Sequence, residues 1–118
     1  MNIKLVKDLR RYLKQFKESY KDDDYNKASS NTLDFLKNLL REVPNIPFPN
    51  ACPGPDAMIQ LVWDKNIHFL SADIFPNGNV ELFYKKRDDV TLWAEDIQFD
   101  SSLSEDIKMH FLHFQNQG

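Results

Sequence analysis

Cysteine, glycine and long apolar runs are all scarce in this chain. The one cysteine, Cys52, cannot close a disulfide within the chain, which favours a reducing compartment. Three glycines, Gly54, Gly78 and Gly118, are too few for a loop of backbone amides that cradles phosphate. No run approaches the ~18 apolar residues of a membrane span. The first residues, MNIKLVKDLRRYLK, carry a charge every few positions and lack the apolar centre of a secretory signal. A cytoplasmic protein without a membrane partner is therefore expected.

Catalytic signatures are absent in the same way. No serine has a nucleophile-elbow context. Cys52 lies in a proline-rich stretch with no neighbouring base to hold a thiolate. His68, His110 and His113 are the only histidines. His110 and His113 stand three apart on a predicted helix, but no HExxH-type spacing accompanies them. Asp22, Asp23 and Asp24 lack the alternating ligands and closing Glu of a calcium loop. The residues thus imply no catalytic, metal or cofactor site, and the protein reads as a non-enzyme.

What is present suits one α+β domain over residues 1–118. Nine Phe among 118 residues, and a hydrophobic share of 42%, suffice for a core. The formal charge of −3 is unevenly spread. Residues 1–21 hold seven basic and two acidic side chains, whereas the other 97 hold eight basic and sixteen acidic ones. A basic first helix, with Lys7, Arg11 and Lys14, thus precedes an acidic body.

Hydrophobic period assigns the elements. Leu5, Leu9, Leu13, Phe16 and Tyr20 make one helical stripe over 3–20. The stretch from Tyr20 to Ala28, rich in Asp and Asn, reads as a loop. A second helix follows from Thr32 to Glu42, capped by Ser30 or Asn31, with Leu33, Leu36, Leu40 and Val43 inward and Pro44 as its stop. Pro44, Pro47, Pro49, Pro53 and Pro55 mark an extended connector anchored by Ile46 and Phe48.

Residues 58–86 then read as three antiparallel strands. Ile59, Leu61 and Trp63 form one face, Leu70, Ala72 and Ile74 the next, and Val80, Leu82 and Tyr84 the third. The turns are Asp64-Lys65-Asn66 and Asn77-Gly78, the latter with the positive φ angles of a tight hairpin. A fourth strand, 91–99, is expected to bend, because Leu92, Trp93, Ile97 and Phe99 do not share one face. The last helix spans about 103–114, opened by a Ser102-to-Glu105 capping box, with Leu103, Ile107, Phe111 and Phe114 buried. The predicted architecture is α+β: two N-terminal helices and a C-terminal helix on a three- to four-stranded antiparallel β-meander.

Asp23, Tyr25 and Ala28, then Pro55-Asp56-Ala57-Met58-Ile59-Gln60-Leu61-Val62-Trp63, then Pro76-Asn77-Gly78-Asn79, carry a resemblance. Over about residues 20–84 the chain resembles a loose group of small bacterial proteins. Their pattern is a Trp-Asp-Gly-Tyr-type loop, a proline-rich lead into Asp-Gly-Gly-Ile-x-Leu-Glu-Trp, and a strand pair closed by Asp-Gly. Here the loop Trp is missing, Ala57 replaces a Gly and Val62 replaces a Glu. The resemblance implies a mobile-element or phage-linked setting.

The function expected is that of a small interaction protein, an inhibitor that blocks a larger protein partner such as a nuclease or defence complex. Candidate contact residues are Asp22, Asp23, Asp73, Glu81 and Glu95 on the acidic body. The first alternative is nucleic-acid binding through Lys7, Arg11 and Lys14, although the acidic strands argue against nucleic acid on the sheet. The second is a small enzyme with an unrecognised carboxylate–histidine site.

Overall fold

Five strands form one antiparallel meander in sequential order: β1 (Asn50–Pro53), β2 (Ile59–Lys65), β3 (His68–Ile74), β4 (Asn79–Lys86) and β5 (Leu92–Gln98). The computed structural model describes residues 4, 7–11, 13, 14, 23–47 and 49–115. The helix α1 (Asp23–Glu42) precedes the sheet and α2 (Glu105–Leu112) follows it. The described residues among 4–14 are helical, with Leu9 and Leu13 buried in the common core. The remainder of the helix expected over 3–20, Asp22 and the Phe48 anchor lie outside the described residues.

Side-chain alternation explains the layering. Ile59, Leu61, Trp63, Leu70, Ala72, Ile74, Val80, Leu82 and Tyr84 fall on one side of the sheet and are all buried. They form one core with Phe35, Leu36, Leu39 and Leu40 of α1 and with Ile107 and Phe111 of α2. Each fully buried side chain of this kind contributes roughly 1.5–3 kcal/mol. Trp63 is 2% exposed, packs edge-on against Phe111 at 4.9 Å, and donates its indole N–H to the Pro47 carbonyl.

The structure corrects the predicted boundaries in several places. Residues 23–28 are helical rather than a loop. Tyr25, Ala28 and Thr32 continue the buried stripe one turn after another, and Asp23 and Asp24 sit at the positive end of the helix dipole. Ser30 and Asn31 are consequently mid-helix, and Asn31 donates its amide to the Phe75 and Pro76 carbonyls instead of capping. Part of the proline-rich connector forms β1, an edge strand, where missing N–H donors are tolerated. That fifth strand exceeds the three or four expected.

The hairpins differ in detail. The β2–β3 turn lies at Asn66 and Ile67, with Asn66 at φ 58°. At the β3–β4 turn only Gly78 has positive φ, at 94°, and its N–H bonds the Phe75 carbonyl. This is a three-residue loop ending in a left-handed glycine rather than a two-residue turn with two positive φ angles. The register of β5 on β4 runs unbroken from Asn79↔Gln98 to Lys85↔Leu92, so the expected bend is absent. Trp93, Ile97 and Phe99 pack against the core, and Leu92 projects to the other side, 61% exposed. In α2 the cap is Ser104, which accepts from the Ile107 N–H, not Ser102.

Candidate functional site

The sheet face opposite the core carries three cross-strand rows fixed by register. The first is Gln60, Asp73, Glu81 and Asp96, each directly opposite the next. The second is Val62, Ser71, Phe83 and Ala94. The third is Asp64, Phe69, Lys85 and Leu92. None of the described helices packs on this face, since their buried residues all join the opposite core.

Each row has its own character. Three carboxylates stand side by side in the first, and among the described residues only Asp73 has a partner, accepting from the Gln60 amide at 2.9 Å. Like charges directly opposite on adjacent strands destabilise a sheet. The second row is apolar but for the buried Ser71, with Phe83 37% exposed and edge-on to Phe69 at 6.4 Å. The third is zwitterionic. Arg87 makes two hydrogen bonds to the Asp64 carboxylate at 2.5 and 2.6 Å, and its guanidinium lies 5.7 Å above the Phe69 ring. The Arg87 hydrogen bond holds the Asp64 carboxyl below its usual range.

Two of the sequence-predicted contact residues, Asp73 and Glu81, therefore meet on one surface. Glu95 does not join them. It is on the core side, where it accepts from the Ser104 hydroxyl at 3.1 Å, and Asp96 takes the place expected for it. Asp23 is exposed at the start of α1, distant in register from the rows, and Asp22 is outside the described residues. Lys7, Arg11 and Lys14 are exposed, helical and spaced to share one face. Asp96, Val62 and Phe83 are not among the sequence-predicted contact residues. Taking Trp93, Ile97 and Phe99 as one inward set, by parity alone, would have turned Asp96 outward.

A second cluster gathers all three histidines around Tyr84. His68 Nδ1 is 2.6 Å from the Tyr84 hydroxyl, and the His68 and His113 rings stack at 4.1 Å. His110 lies between Tyr84 and Trp93, with ring centroids 4.5 Å from each. Burial lowers the His110 pKa, against the pull of Asp106. Burial also lowers that of His113, reinforced by His68, His110 and Lys86. Burial, then Asp88, raises the Tyr84 phenol. Rings stacked face to face present no converging lone pairs. Among the described residues no group of three His, Cys, Asp or Glu side chains is placed to hold a metal. The cluster fastens α2 to the sheet.

The start of α1, the segment before β2 and the β3–β4 turn contribute to one open depression of about 420 Å³. It is lined by Asp24, Lys27, Asp56, Phe75, Pro76 and Asn77. Asp56 and Ala57 there both have positive φ, at 61° and 58°. Ala57 thus stands where a glycine is the less strained residue. Cys52 is an exposed free thiol on β1. No described helix is long and apolar enough to cross a membrane.

No family model, curated protein or solved structure matches the chain. The open sheet face is therefore judged on its own geometry. It is a three-row surface with an acidic margin and a mostly apolar centre.

Proposed function

We propose that this is a non-enzymatic interaction protein that seats a basic surface of a larger protein on its open sheet face and so blocks it. The observation that carries the reading is the in-register row Asp73, Glu81 and Asp96 beside the row of half-buried Val62, exposed Phe83 and exposed Ala94. Beyond the one hydrogen bond from Gln60 to Asp73, three adjacent carboxylates cost the fold repulsion, which a partner rich in Lys and Arg relieves on docking. Phe83 then supplies an aromatic anchor at the centre of the contact, with the charges at its rim. Basic surfaces of this kind are characteristic of proteins that bind nucleic acid, so a nuclease or a nucleic-acid-acting complex is the partner class.

Photo-crosslinking groups at Val62 and Phe83, compared with groups at Met109 and Leu112 on α2, test the reading in extracts of the source cell. The expected result is a specific protein captured from the sheet face and lost when Asp73, Glu81 and Asp96 are changed to Lys. Capture only from α2, unaffected by those changes, would overturn it. Changing His68, His110, His113 and Cys52 together should leave capture and inhibition intact wherever the fold survives.

A second reading rests on Lys7, Arg11 and Lys14, which are all exposed. Nucleic-acid binding by this helix predicts a steep salt dependence that disappears on charge reversal at these three positions and ignores the sheet.

A further inference from the structure

The two edges of the sheet are built differently, and the difference suggests how a partner is held. On the assumption that the open face is the docking surface, we infer that the outer edge of β5 accepts an extended segment of the partner as a sixth strand.

The hydrogen-bond pattern fixes which backbone groups are available. Lys86 N–H bonds the Thr91 carbonyl at one end of the β4–β5 ladder, and Phe99 N–H bonds the Gly78 carbonyl at the other. In an antiparallel pair the bonded positions alternate, so Trp93, Glu95 and Ile97 face β4. Leu92, Ala94, Asp96 and Gln98 therefore turn their N–H and C=O groups outward, and among the described residues no strand pairs with that side. These same four residues place exposed side chains on the open face.

Edges left in this condition are normally guarded. The opposite edge, β1, is four residues long, preceded by Pro49 and ended by Pro53. β5 is seven residues long, without Pro, Lys or a bulge. Its guard is charge alone, Glu95 on the core side and Asp96 on the open face, which a cationic guest strand neutralises and an uncharged or acidic one does not. A second copy of β5 is a poorer occupant, because antiparallel registers centred on Glu95 or Asp96 oppose like charges, and the one centred on Ala94 sets Asp96 beside Leu92, where no cation meets the acidic row.

Register specifies the guest. A side chain beside Asp96 extends the acidic row and is best Lys or Arg. A side chain beside Ala94 extends the Val62–Ser71–Phe83 row and is best apolar, such as Val. Beside Leu92 the neighbour within the sheet is Lys85, so a second apolar residue fits there better than a cation. The occupant is thus an extended protein segment that alternates on its inner face from Lys or Arg to Val-like residues over three positions, which is strand addition with side-chain selection.

The probe is a seven-residue peptide in which Thr alternates with one Lys and two Val, measured in both sequence orders with the full-length protein. Amide resonances of Leu92, Ala94, Asp96 and Gln98 should shift and gain exchange protection, while those of Trp93, Glu95 and Ile97 change little. Ala94→Pro removes one outward N–H without removing a ladder bond, and should weaken binding at least tenfold. N-methylation of the peptide amides that face β5 should do the same with the protein unaltered. Binding that survives both changes, or shifts confined to the Val62 and Phe83 side chains, would overturn edge pairing while leaving the open face as the contact. Absence of binding by both peptides would also overturn it, whereas failure of the face itself is read separately from the crosslinking pattern at Val62 and Phe83.

Discussion

The two faces of the sheet obey opposite rules. On the covered face, neighbouring rows hold Ile59, Leu61, Trp63, Leu70, Ala72 and their partners, nearly all inaccessible to water. On the open face, the same strands hold Asp73 opposite Glu81 opposite Asp96, then an aromatic strip, then an Arg–Asp pair. Adjacent residues of one strand therefore answer to different demands. The covered set is explained by burial alone, and the open set contains like-charge neighbours that burial and pairing within the chain do not explain. Under the proposed function, that contrast puts stability on one side and binding on the other.

Mutations on the two faces should separate accordingly. Trp63→Ala leaves a cavity against Phe111 and strands the Pro47 carbonyl, so it should cost ~3–5 kcal/mol in denaturant unfolding. Phe83→Ser, two strands away on the open face, should cost only about 1–2 kcal/mol, for its partial burial and its contact with Phe69, while abolishing crosslinking to a partner. Equal destabilisation by both would erase the distinction between the faces.

The hairpin end comes next in size. Gly78 has φ +94°, and an added Cβ would sit 2.9 Å from Gln98 Oε1 and 3.2 Å from the Phe99 ring. Gly78→Val should therefore cost about 2 kcal/mol in thermal melts and loosen the β4–β5 register.

The histidine cluster adds a pH dependence confined to the covered side. Both His110 and His113 have folded pKa values depressed below the ordinary value of 6.5. The unfolded state then binds more protons than the folded state between the two values. The stability they contribute is fully present above about pH 6.5 and is lost as pH falls through the folded pKa values. Melting temperature should drop from pH 7.5 to 5.5, with exchange protection lost first in α2. The groups facing the cluster are Lys86, Asp88 and Asp106 as well as Tyr84, so the slope is a net of all of these. His110→Phe, which keeps the contacts with Tyr84 and Trp93, should flatten it.

The smallest effect belongs to the strained turn. Ala57→Gly relieves a left-handed alanine at about 1 kcal/mol, partly offset by the extra freedom of glycine when unfolded. A net gain of about 0.5 kcal/mol is expected in chemical denaturation.

Much of the covered face was legible in the sequence because its signal is periodic. Val80, Leu82 and Tyr84 alternate cleanly, and Leu36, Leu40 and Val43 repeat at helical spacing. Other features have no periodic signature. The first turns of α1 show only Tyr25 and Ala28 as inward residues amid Asp, Asn and Lys, so composition pointed to a loop. β1 is a four-residue edge strand inside a proline-rich stretch, where strand propensity is silent. In β5 two adjacent apolar residues, Leu92 and Trp93, left the parity open, and that ambiguity put Glu95 on the open face in place of Asp96. The meeting of His68, Tyr84, Trp93, His110 and His113 depends on register and helix docking across 46 positions of chain, which no local spacing encodes.

The most direct test of the division between the faces is the triple neutralisation Asp73→Asn, Glu81→Gln and Asp96→Asn, followed by unfolding and partner capture on the same sample. The side-chain carbonyl left at position 73 can still accept from the Gln60 amide, so removing three in-register charges relieves repulsion without breaking the one hydrogen bond in the row. The predicted result is a protein at least as stable as the original that no longer captures its partner through Val62 and Phe83. A protein that is less stable yet still captures its partner would show that the acidic row serves the fold and not the contact.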